Sequence, residues 1–256
     1  MEYCTVDGRR IEYLRLVSSH PRAGAPAMVF LHEGLGSLSM WRDFPQQVAD
    51  ACGCEAVVYS RHGYGRSDPL TGKRAPDYMH REALVVLPEF MNRLNIVRPI
   101  LFGHSDGGSI ALIHAGAAQR PVTAAIVMAP HVMVEDVTIE GIRKARQIWL
   151  DTDFRQRLAK YHPDPDSVFS NWNDTWLDPA FRDWNIEQYL PSIACPVLAI
   201  QGEDDEYATM DQIERICHQC RDVELVRLAD CRHSPHKDQP QQVIAATTEF
   251  VARILD

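Results

Sequence analysis

Short apolar runs alternate with helix-like segments along most of the chain. Five of these runs lack the polar–apolar alternation of a half-exposed strand: Ala27–Leu31, Ala56–Tyr59, Pro99–Phe102, Ala124–Met128 and Val197–Ile200. Strands that crossover helices bury on both faces have this pattern. The helix-like segments are Trp41–Ala51, Asp77–Leu94, Ser109–Ala118 and Gln239–Ile254, and a further strand-like run, Val223–Leu228, precedes the last of them. The pattern predicts an α/β fold, with a mostly parallel sheet and helices on both of its faces.

The N-terminal segments are predicted to pair with each other. Glu2–Val6 and Ile11–Val17 flank Asp7-Gly8, a dipeptide that is favoured in tight hairpin turns. We therefore expect an antiparallel pair of strands at one edge of the sheet.

Residues 137–192 break this rhythm, because they are helical in pattern, rich in charge and aromatic side chains, and contain no evident buried strand. Four of the five tryptophans lie in this segment: Trp149, Trp172, Trp176 and Trp184. The aromatics either form the core of a helical subdomain or cover a pocket as a lid. The position between two strands, at the rim where such sheets bind ligands, favours the lid. We predict a core of residues 1–136 and 193–256 and a helical cap of residues 137–192, with Trp149, Trp172 and Trp176 facing the substrate.

Length and charge narrow the class of protein. The 256 residues allow one large core with an inserted cap, and the net charge of −9 argues against nucleic acid or an anionic membrane as a partner. The chain lacks the roughly 18 consecutive apolar residues of a membrane helix and the apolar block of a signal peptide. We expect a cytoplasmic protein with a small-molecule substrate, either as a monomer or as a homo-oligomer.

Seven cysteines cannot all pair within the chain, and their odd number favours reduced thiols. Cys217 and Cys220 have the spacing of half a zinc site, for which Cys52 and Cys54 are the candidate second half. That second half has the wrong spacing for a zinc knuckle, and two cysteines one helical turn apart are typical of a core. We therefore expect neither a metal nor a cofactor.

The strongest chemical signal is a G-x-S-x-G motif. The strand ending at Phe102 continues into Gly103-His104-Ser105-Asp106-Gly107-Gly108 and then into a helix. This sharp turn needs small residues two positions on either side of the nucleophile, and it directs the Asp106 N–H towards the site where negative charge develops. A nucleophilic Asp106 would require His104 at one of the small positions. Ser105 is therefore the predicted nucleophile.

A nucleophilic serine needs a base and an acid that orients the base. The strand ending at Ile200 leads into a run of acidic residues, among which Asp205 is the first candidate and Asp204 the second. The loop after the last strand offers His233 as the base, with His236 as the alternative. The three residue types thus occur along the chain in the order Ser, Asp, His.

A glycine-rich loop, His32-Glu33-Gly34-Leu35-Gly36-Ser37, follows the first central strand. Glycine allows the backbone N–H groups of such a loop to approach an oxyanion closely. Gly34 is the candidate second donor beside Asp106, and Leu35 is the next candidate. Leu35 and His104 are also predicted to line the substrate site.

These residues resemble the α/β-hydrolase superfamily along nearly the full length. The resemblance is carried by FLHEGLGS at 30–37, YSRHGYGRSDP at 59–69, FGHSDGG at 102–108, and IQGEDD with CRHSPH near the end. It implies an eight-stranded sheet with a cap after the sixth strand, and a triad of Ser105, Asp205 and His233. It also implies that His131 faces the pocket, unless it is a hydrogen-bonded structural residue. The chain departs from the family at Glu33 and Arg232, where glycine is usual.

The residues predict acyl transfer to water without a cofactor. The expected activity is carboxylesterase-like, on a small, partly apolar carboxylic ester, thioester or lactone. A hydrolase that cleaves a carbon–carbon bond in a dicarbonyl (meta-cleavage-type) compound uses the same three residue types and is the main alternative. A non-catalytic ligand-binding homologue is a third hypothesis, which the presence of all three residue types disfavours.

Overall fold

A computed structural model describes residues 1–117 and 119–255. Within them, eight strands form one sheet: β1 (Glu2–Val6), β2 (Arg9–Leu16), β3 (Met28–Leu31), β4 (Ala56–Tyr59), β5 (Ile100–His104), β6 (Ala124–Met128), β7 (Val197–Gly202) and β8 (Val223–Leu228). The strand order is β1-β2-β4-β3-β5-β6-β7-β8. Strand β2 runs antiparallel to both β1 and β4, and the other neighbours are parallel. The predicted mostly parallel, eight-stranded α/β fold is confirmed.

The predicted hairpin lies at the edge of this sheet. Asp7 and Gly8 form its turn with φ angles of 50° and 74°. Positive φ at both central residues is the requirement of the tight turn that matches the twist of paired strands. Strand β2 begins two residues earlier than predicted, at Arg9, because the turn consists of only two residues.

The helices are α1 (Phe44–Cys52), α2 (Tyr78–Arg81), α3 (Leu87–Arg93), α4 (Asp106–Ala117), α5 (Asp136–Asp151), α6 (Phe154–Leu158), α7 (Pro165–Leu177), α8 (Asp211–Gln219), α9 (Pro235–Asp238) and α10 (Pro240–Leu255). Short 3₁₀ helices cover Leu38–Trp41, Pro179–Phe181 and Glu187–Ser192. Ala118, the predicted end of the helix after Ser105, and Asp256 lie outside the described residues.

The predicted helix Asp77–Leu94 is divided in the structure. A π-helical turn, Glu82–Val86, separates α2 from α3. Pro88 lies at this junction and has no N–H to donate to the carbonyl of Leu84. The irregular turn accommodates the missing hydrogen bond.

Alternate residues of the central strands build two cores. Val29 and Leu31 of β3 point into the core that α4 covers, whereas Met28 and Phe30 point into the core beneath α1 and α10. All four side chains are fully buried. Burial on both faces explains why the sequence of β3 is uninterrupted by polar residues.

The segment between β6 and β7 contains α5, α6 and α7, and we call residues 136–192 the insertion. His162 joins it to the core, because one ring nitrogen accepts from the Gly65 N–H at 2.9 Å and the other lies 3.0 Å from the Leu35 carbonyl oxygen. Within the insertion, Asn173 of α7 donates to the Ile142 carbonyl oxygen of α5 at 2.9 Å. His162 thus joins the insertion to the loops after β3 and β4, and Asn173 joins two helices within the insertion.

Candidate active site

Ser105 occupies the turn between β5 and α4. Its φ of 52° is in the left-handed region, which costs a non-glycine residue about 1–3 kcal/mol. A Cβ at Gly103 would overlap the Gly107 backbone, and one at Gly107 would overlap the carbonyl of Leu31. The two glycines therefore allow the sharp turn that places the serine hydroxyl at the carboxyl end of the sheet.

Ser105, His233 and Asp205 form a continuous hydrogen-bonded chain. The Nε2 atom of His233 lies 2.9 Å from the Ser105 Oγ, and its Nδ1 atom lies 2.9 and 2.8 Å from the two carboxylate oxygens of Asp205. A nucleophile bonded to a base that is in turn oriented by an acid is the geometry of a serine hydrolase triad. The Asp205 carboxylate is fully buried, while a small part of His233 remains exposed.

The alternative acid and base lie elsewhere. Asp204 is exposed, whereas Asp205 points inward and also accepts from the Gln201 side chain at 2.7 Å and the Tyr207 N–H at 2.8 Å. His236 is buried with its ring 4.8 Å from that of Trp41. The structure thus brings Asp205 and His233 to Ser105, and places Asp204 and His236 away from that chain.

The backbone beside Ser105 has the features of an oxyanion hole. Asp106 is the first residue of α4, where N–H groups have no partner within the helix. In the described part of the chain, neither the Asp106 nor the Gly34 N–H has a hydrogen-bond acceptor. Gly34 lines the pocket so closely to Trp172 that a Cβ would overlap the indole ring. Both N–H groups are therefore available to a ligand.

The side chain of Asp106 is turned into the core. It accepts from the Tyr78 hydroxyl at 2.7 Å and forms an ion pair with Arg61 at 3.3 Å, and both charged groups are buried. A carboxylate held in this way does not serve as a nucleophile in the pocket.

A small pocket of about 110 Å³ lies over Ser105. Its walls are formed by Glu33, Gly34, Leu35, Ser105, His131, Thr138, Ile142, Trp172, Trp176, Tyr207 and His233. The volume is of the same order as the ~150 Å³ cavity that holds a benzene molecule. The pocket therefore accommodates one small group at a time.

This arrangement has counterparts among known proteins. A sequence model of the alpha/beta hydrolase family matches residues 28–246, which include the elbow, the acid and the base. The chain belongs to the alpha/beta hydrolase family.

Two curated proteins are similar to this alpha/beta hydrolase at low sequence identity. Serine hydrolase BPHL of Homo sapiens is 26% identical over 189 residues, which are 70% of this chain and 63% of that protein. This alignment leaves more than a third of BPHL uncovered. A 2-hydroxy-6-oxononadienedioate/2-hydroxy-6-oxononatrienedioate hydrolase of Paraburkholderia xenovorans (strain LB400) is 23% identical, with 90% of this chain and 88% of that protein covered.

Among solved structures, the enol-lactonase from Burkholderia xenovorans LB400 has a TM-score of 0.74 and 21% identity, with 99% of each chain covered. At this identity the likeness concerns the fold. This alpha/beta hydrolase therefore shares its fold with that structure over nearly its whole length.

Two predicted substrate contacts do not lie in the pocket of this alpha/beta hydrolase. Trp149 stacks on Phe169 inside the insertion, with ring centroids 4.2 Å apart. His104 is buried behind the His233 loop, where its Nε2 atom lies 2.7 Å from the His233 carbonyl oxygen and its Nδ1 atom lies 3.5 Å from Glu33. The other predicted contacts, Leu35, His131, Trp172 and Trp176, do line the pocket.

Thr138 and Ile142 of α5 also line the pocket and were missed by the sequence reasoning. Their spacing of four residues places them on one face of a helix, and Thr138, Gly141, Ile142 and Ala145 are buried. This amphipathic face was the available signal. Tyr207, two residues after Asp205, also lines the pocket, and its ring centroid lies 4.8 Å from that of His233.

The charges of the triad reinforce one another. Burial raises the pKa of Asp205, but the charge of His233 and the hydrogen bonds from His233 and Tyr207 outweigh burial and hold its pKa below the usual range. Burial lowers the pKa of His233, yet the attraction of Asp205 outweighs burial and raises it above the usual value. The pair is therefore arranged to stabilise an imidazolium next to a carboxylate.

Glu33 and Arg232, which replace the family's usual glycines, both have partners nearby in the structure. Glu33 lies 3.7 Å from Lys237, and this cation together with His104 overcomes the effect of burial and holds the Glu33 pKa well below its usual range. Arg232 is exposed, and its N–H donates to Asp238 at 2.9 Å. Glu33 thus places a negative charge in the pocket wall, whereas Arg232 remains outside.

All seven cysteines are free thiols. Burial raises the pKa of Cys52 to about 12, and the same cause raises that of Cys220 to about 12.

Within residues 1–117 and 119–255, no group of three or more His, Cys, Asp or Glu side chains is placed to hold a metal ion. In the same residues, no helix has both the length and the apolar character needed to cross a membrane.

Proposed function

We propose that this chain is a serine hydrolase that cleaves a small, partly apolar ester, thioester or lactone through an acyl-enzyme. The observation that carries the proposal is the unbroken contact from Ser105 Oγ through His233 to the buried Asp205. A serine without such a base is a poor nucleophile, and a histidine without an orienting acid presents the wrong tautomer.

The reaction begins when the His233 Nε2 atom takes the Ser105 proton while the serine oxygen attacks the carbonyl carbon. The Asp106 and Gly34 N–H groups stabilise the resulting oxyanion, and one such donor contributes about 10²–10³ in rate. His233 then gives its proton to the leaving oxygen or sulfur as that bond breaks. Water, deprotonated by His233, attacks the acyl carbon and releases the acid, and Ser105 regains its proton.

The lining of the pocket favours an uncharged substrate. Leu35, Ile142, Trp172 and Trp176 provide apolar walls, while Glu33 contributes a carboxylate. Among the described residues, no lysine or arginine lines this pocket. Lys237, which lies outside the lining, is already paired with Glu33, so a substrate carboxylate would be buried in the pocket without a cationic partner of its own, which is unfavourable.

This charge pattern favours ester hydrolysis over the carbon–carbon alternative. The relative from Paraburkholderia xenovorans is named for a dioate, a compound with two carboxylates. The pocket of this chain provides no cationic side chain for either of them. Cleavage of a carbon–carbon bond is therefore the second candidate function, after ester hydrolysis.

The test is steady-state kinetics on a panel of p-nitrophenyl esters, acyl thioesters, lactones and a meta-cleavage dioate. We expect turnover of short neutral esters by the wild type and its loss in Ser105→Ala. Ser170→Ala is the matched control, because this exposed serine on α7 bonds only to carbonyls of its own helix and to none of the pocket residues. Preferential cleavage of the dioate would contradict the ester assignment, and activity that persists in Ser105→Ala would contradict the mechanism.

A further inference from the structure

The pocket contains a second histidine that the proposed reaction does not use. His131 follows β6 and is only 2% exposed, and its ring lies 5.8 Å from that of His233. Its backbone is fixed by Ser109, whose hydroxyl donates to the His131 carbonyl at 2.7 Å and accepts from the His131 N–H at 3.1 Å. The ring also contacts that of Trp176 at 5.0 Å. The imidazole is therefore held rigidly in the pocket wall.

The two ring nitrogens of His131 differ in their surroundings. Nδ1 is fully buried and has no hydrogen-bond partner in the described part of the chain. Nε2 also lacks a protein partner there, but it is not fully buried, and the residue lines the pocket. Orphaned buried N–H groups are rarer in proteins than under-satisfied acceptors. The favoured tautomer thus carries its proton on Nε2 and presents an N–H to the pocket.

The two histidines are suited to different tasks because their neighbours differ. His233 is bonded to Asp205, whereas His131 has no carboxylate partner within hydrogen-bond distance among the described residues. Burial and the nearby charge of His233 outweigh the attraction of Asp205, Asp106 and Glu135 and lower the pKa of His131 to about 4. An uncharged imidazole in an apolar wall acts as a fixed hydrogen-bond donor.

We propose that His131 is a specificity-determining residue whose Nε2–H donates to a second, uncharged oxygen of the substrate close to the scissile carbonyl. The substrate class is then a neutral ester or lactone with an ether, hydroxyl or carbonyl oxygen near the reacting carbon. Among the described residues no lysine or arginine lines the pocket, which disfavours a carboxylate oxygen in that position. This inference rests on the proposed hydrolase function and specifies its substrate.

A substrate that lacks the second oxygen leaves the Nε2–H without a partner in a closed pocket. Sites built to bind a substrate polar group discriminate strongly against analogues without it, because the buried partner stays unpaired. The oxygen should therefore raise kcat/KM by about tenfold relative to a methylene in the same position.

The test compares isosteric substrates that differ only in CH₂ against O. On the acyl side the pair is p-nitrophenyl butyrate and p-nitrophenyl methoxyacetate, and on the alcohol side it is butyl butyrate and 2-methoxyethyl butyrate. For each pair we take the ratio of kcat/KM for the oxygenated ester to kcat/KM for its methylene counterpart. This ratio is measured in the wild type, in His131→Phe, which keeps a ring without a donor, and in His131→Gln, which keeps an N–H donor. The ratio in the Phe variant gives the difference in intrinsic reactivity between the two esters, because that variant has no donor for the oxygen.

We expect the ratio in one of the two pairs to fall about tenfold from wild type to His131→Phe and to be partly retained in His131→Gln. The pair that responds identifies the side of the substrate that His131 contacts. A structural role for His131 would lower both kcat/KM values of a pair together and leave their ratio unchanged. His131→Leu replaces the Phe variant if circular dichroism shows that the latter does not fold.

Equal ratios in the wild type and the donor-free variant, for both pairs, would overturn the assignment of His131 while leaving the hydrolase proposal intact. Failure of the wild type to hydrolyse any of the four esters would overturn both.

Discussion

The loops of the sheet and the helices of the insertion contribute different chemistry to the same pocket. Ser105, Asp205 and His233 follow β5, β7 and β8, at the carboxyl ends of parallel strands. The insertion contributes Thr138, Ile142, Trp172 and Trp176, three of which are apolar or aromatic. The loops of the sheet therefore hold the groups that react together with part of the pocket wall, and the insertion supplies the rest of the wall.

The difference reflects how each region is fixed. The strands carrying the triad belong to one continuous sheet, in which β6 joins β5 to β7 and β7 pairs with β8, so their ends cannot move apart without breaking the sheet. The insertion is held by side-chain contacts such as those of His162 and Asn173, and by a short backbone bridge in which the Ile186 N–H donates to the Val132 carbonyl oxygen at 2.8 Å. Reacting atoms need positions accurate to a fraction of an ångström, while a pocket wall tolerates adjustment. Changes in the two regions should accordingly affect turnover and binding differently.

The largest effect is expected in the sheet region, for Asp205→Asn. The amide would leave His233 in the wrong tautomer, and kcat should fall by about 10⁴. Asp204→Asn is the control, because this neighbouring carboxylate is exposed and makes no contact with His233. Steady-state kinetics on a p-nitrophenyl ester measure both. A large loss in the control with none in Asp205→Asn would place the acid one residue earlier.

Gly34→Ala tests the point where the two regions meet. The added methyl would overlap the Trp172 indole and displace the N–H proposed to bind the oxyanion, so kcat/KM should fall by about 10². Replacing Trp172 by leucine in the same chain makes room, and part of the activity should return. Full activity in the Gly34→Ala single variant would mean that this N–H is not a donor.

Trp172→Ala and Trp149→Ala form a matched pair within the insertion. Both indoles contact the ring of Phe169, but only Trp172 lines the pocket. Trp172→Ala should lower the free energy of unfolding by about 3 kcal/mol, and Trp149→Ala by less because its indole is only partly buried, as measured by urea denaturation. KM should rise about tenfold for Trp172→Ala and stay near the wild-type value for Trp149→Ala. An equal rise in both variants would show that the insertion acts as a whole and not through its pocket face.

The pH dependence distinguishes the two pocket histidines and is the smallest effect. The base must be neutral to accept the serine proton, and Asp205 raises the pKa of His233 above the ordinary value of about 6.5. Activity should therefore fall as the pH drops through a midpoint above 6.5, while His131 stays uncharged down to about pH 4. A profile of kcat/KM against pH measures the midpoint. A midpoint at or below 6.5 would contradict the Asp205–His233 coupling.

Local signals predicted the elbow, whereas the partners of Ser105 were left open between neighbours. Gly103 and Gly107 act within the turn itself, so the sequence is sufficient to locate the nucleophile. His233 lies 128 residues from Ser105 and 28 from Asp205 along the chain. Which of two adjacent carboxylates points inward depends on the packing of the loop after β7, and this packing leaves no pattern in the sequence.

The insertion was harder to predict for the same physical reason. Its helical character and aromatic content are visible in the sequence, but the orientation of Trp149 into its own core and of Trp172 into the pocket is set by tertiary contacts. His104 was similarly predicted to line the substrate site, yet the His233 loop covers it. The limits of residues 137–192 as a separate cap stay a prediction.

The central claim is that Ser105 is a nucleophile activated by His233. A fluorophosphonate probe reacts with such a serine, and intact mass followed by peptide mapping locates the adduct. The account predicts one adduct on Ser105 in the wild type, none in Ser105→Ala, and much slower labelling in His233→Ala than in His236→Ala. An unlabelled wild type, or an adduct that forms equally in Ser105→Ala, would contradict it.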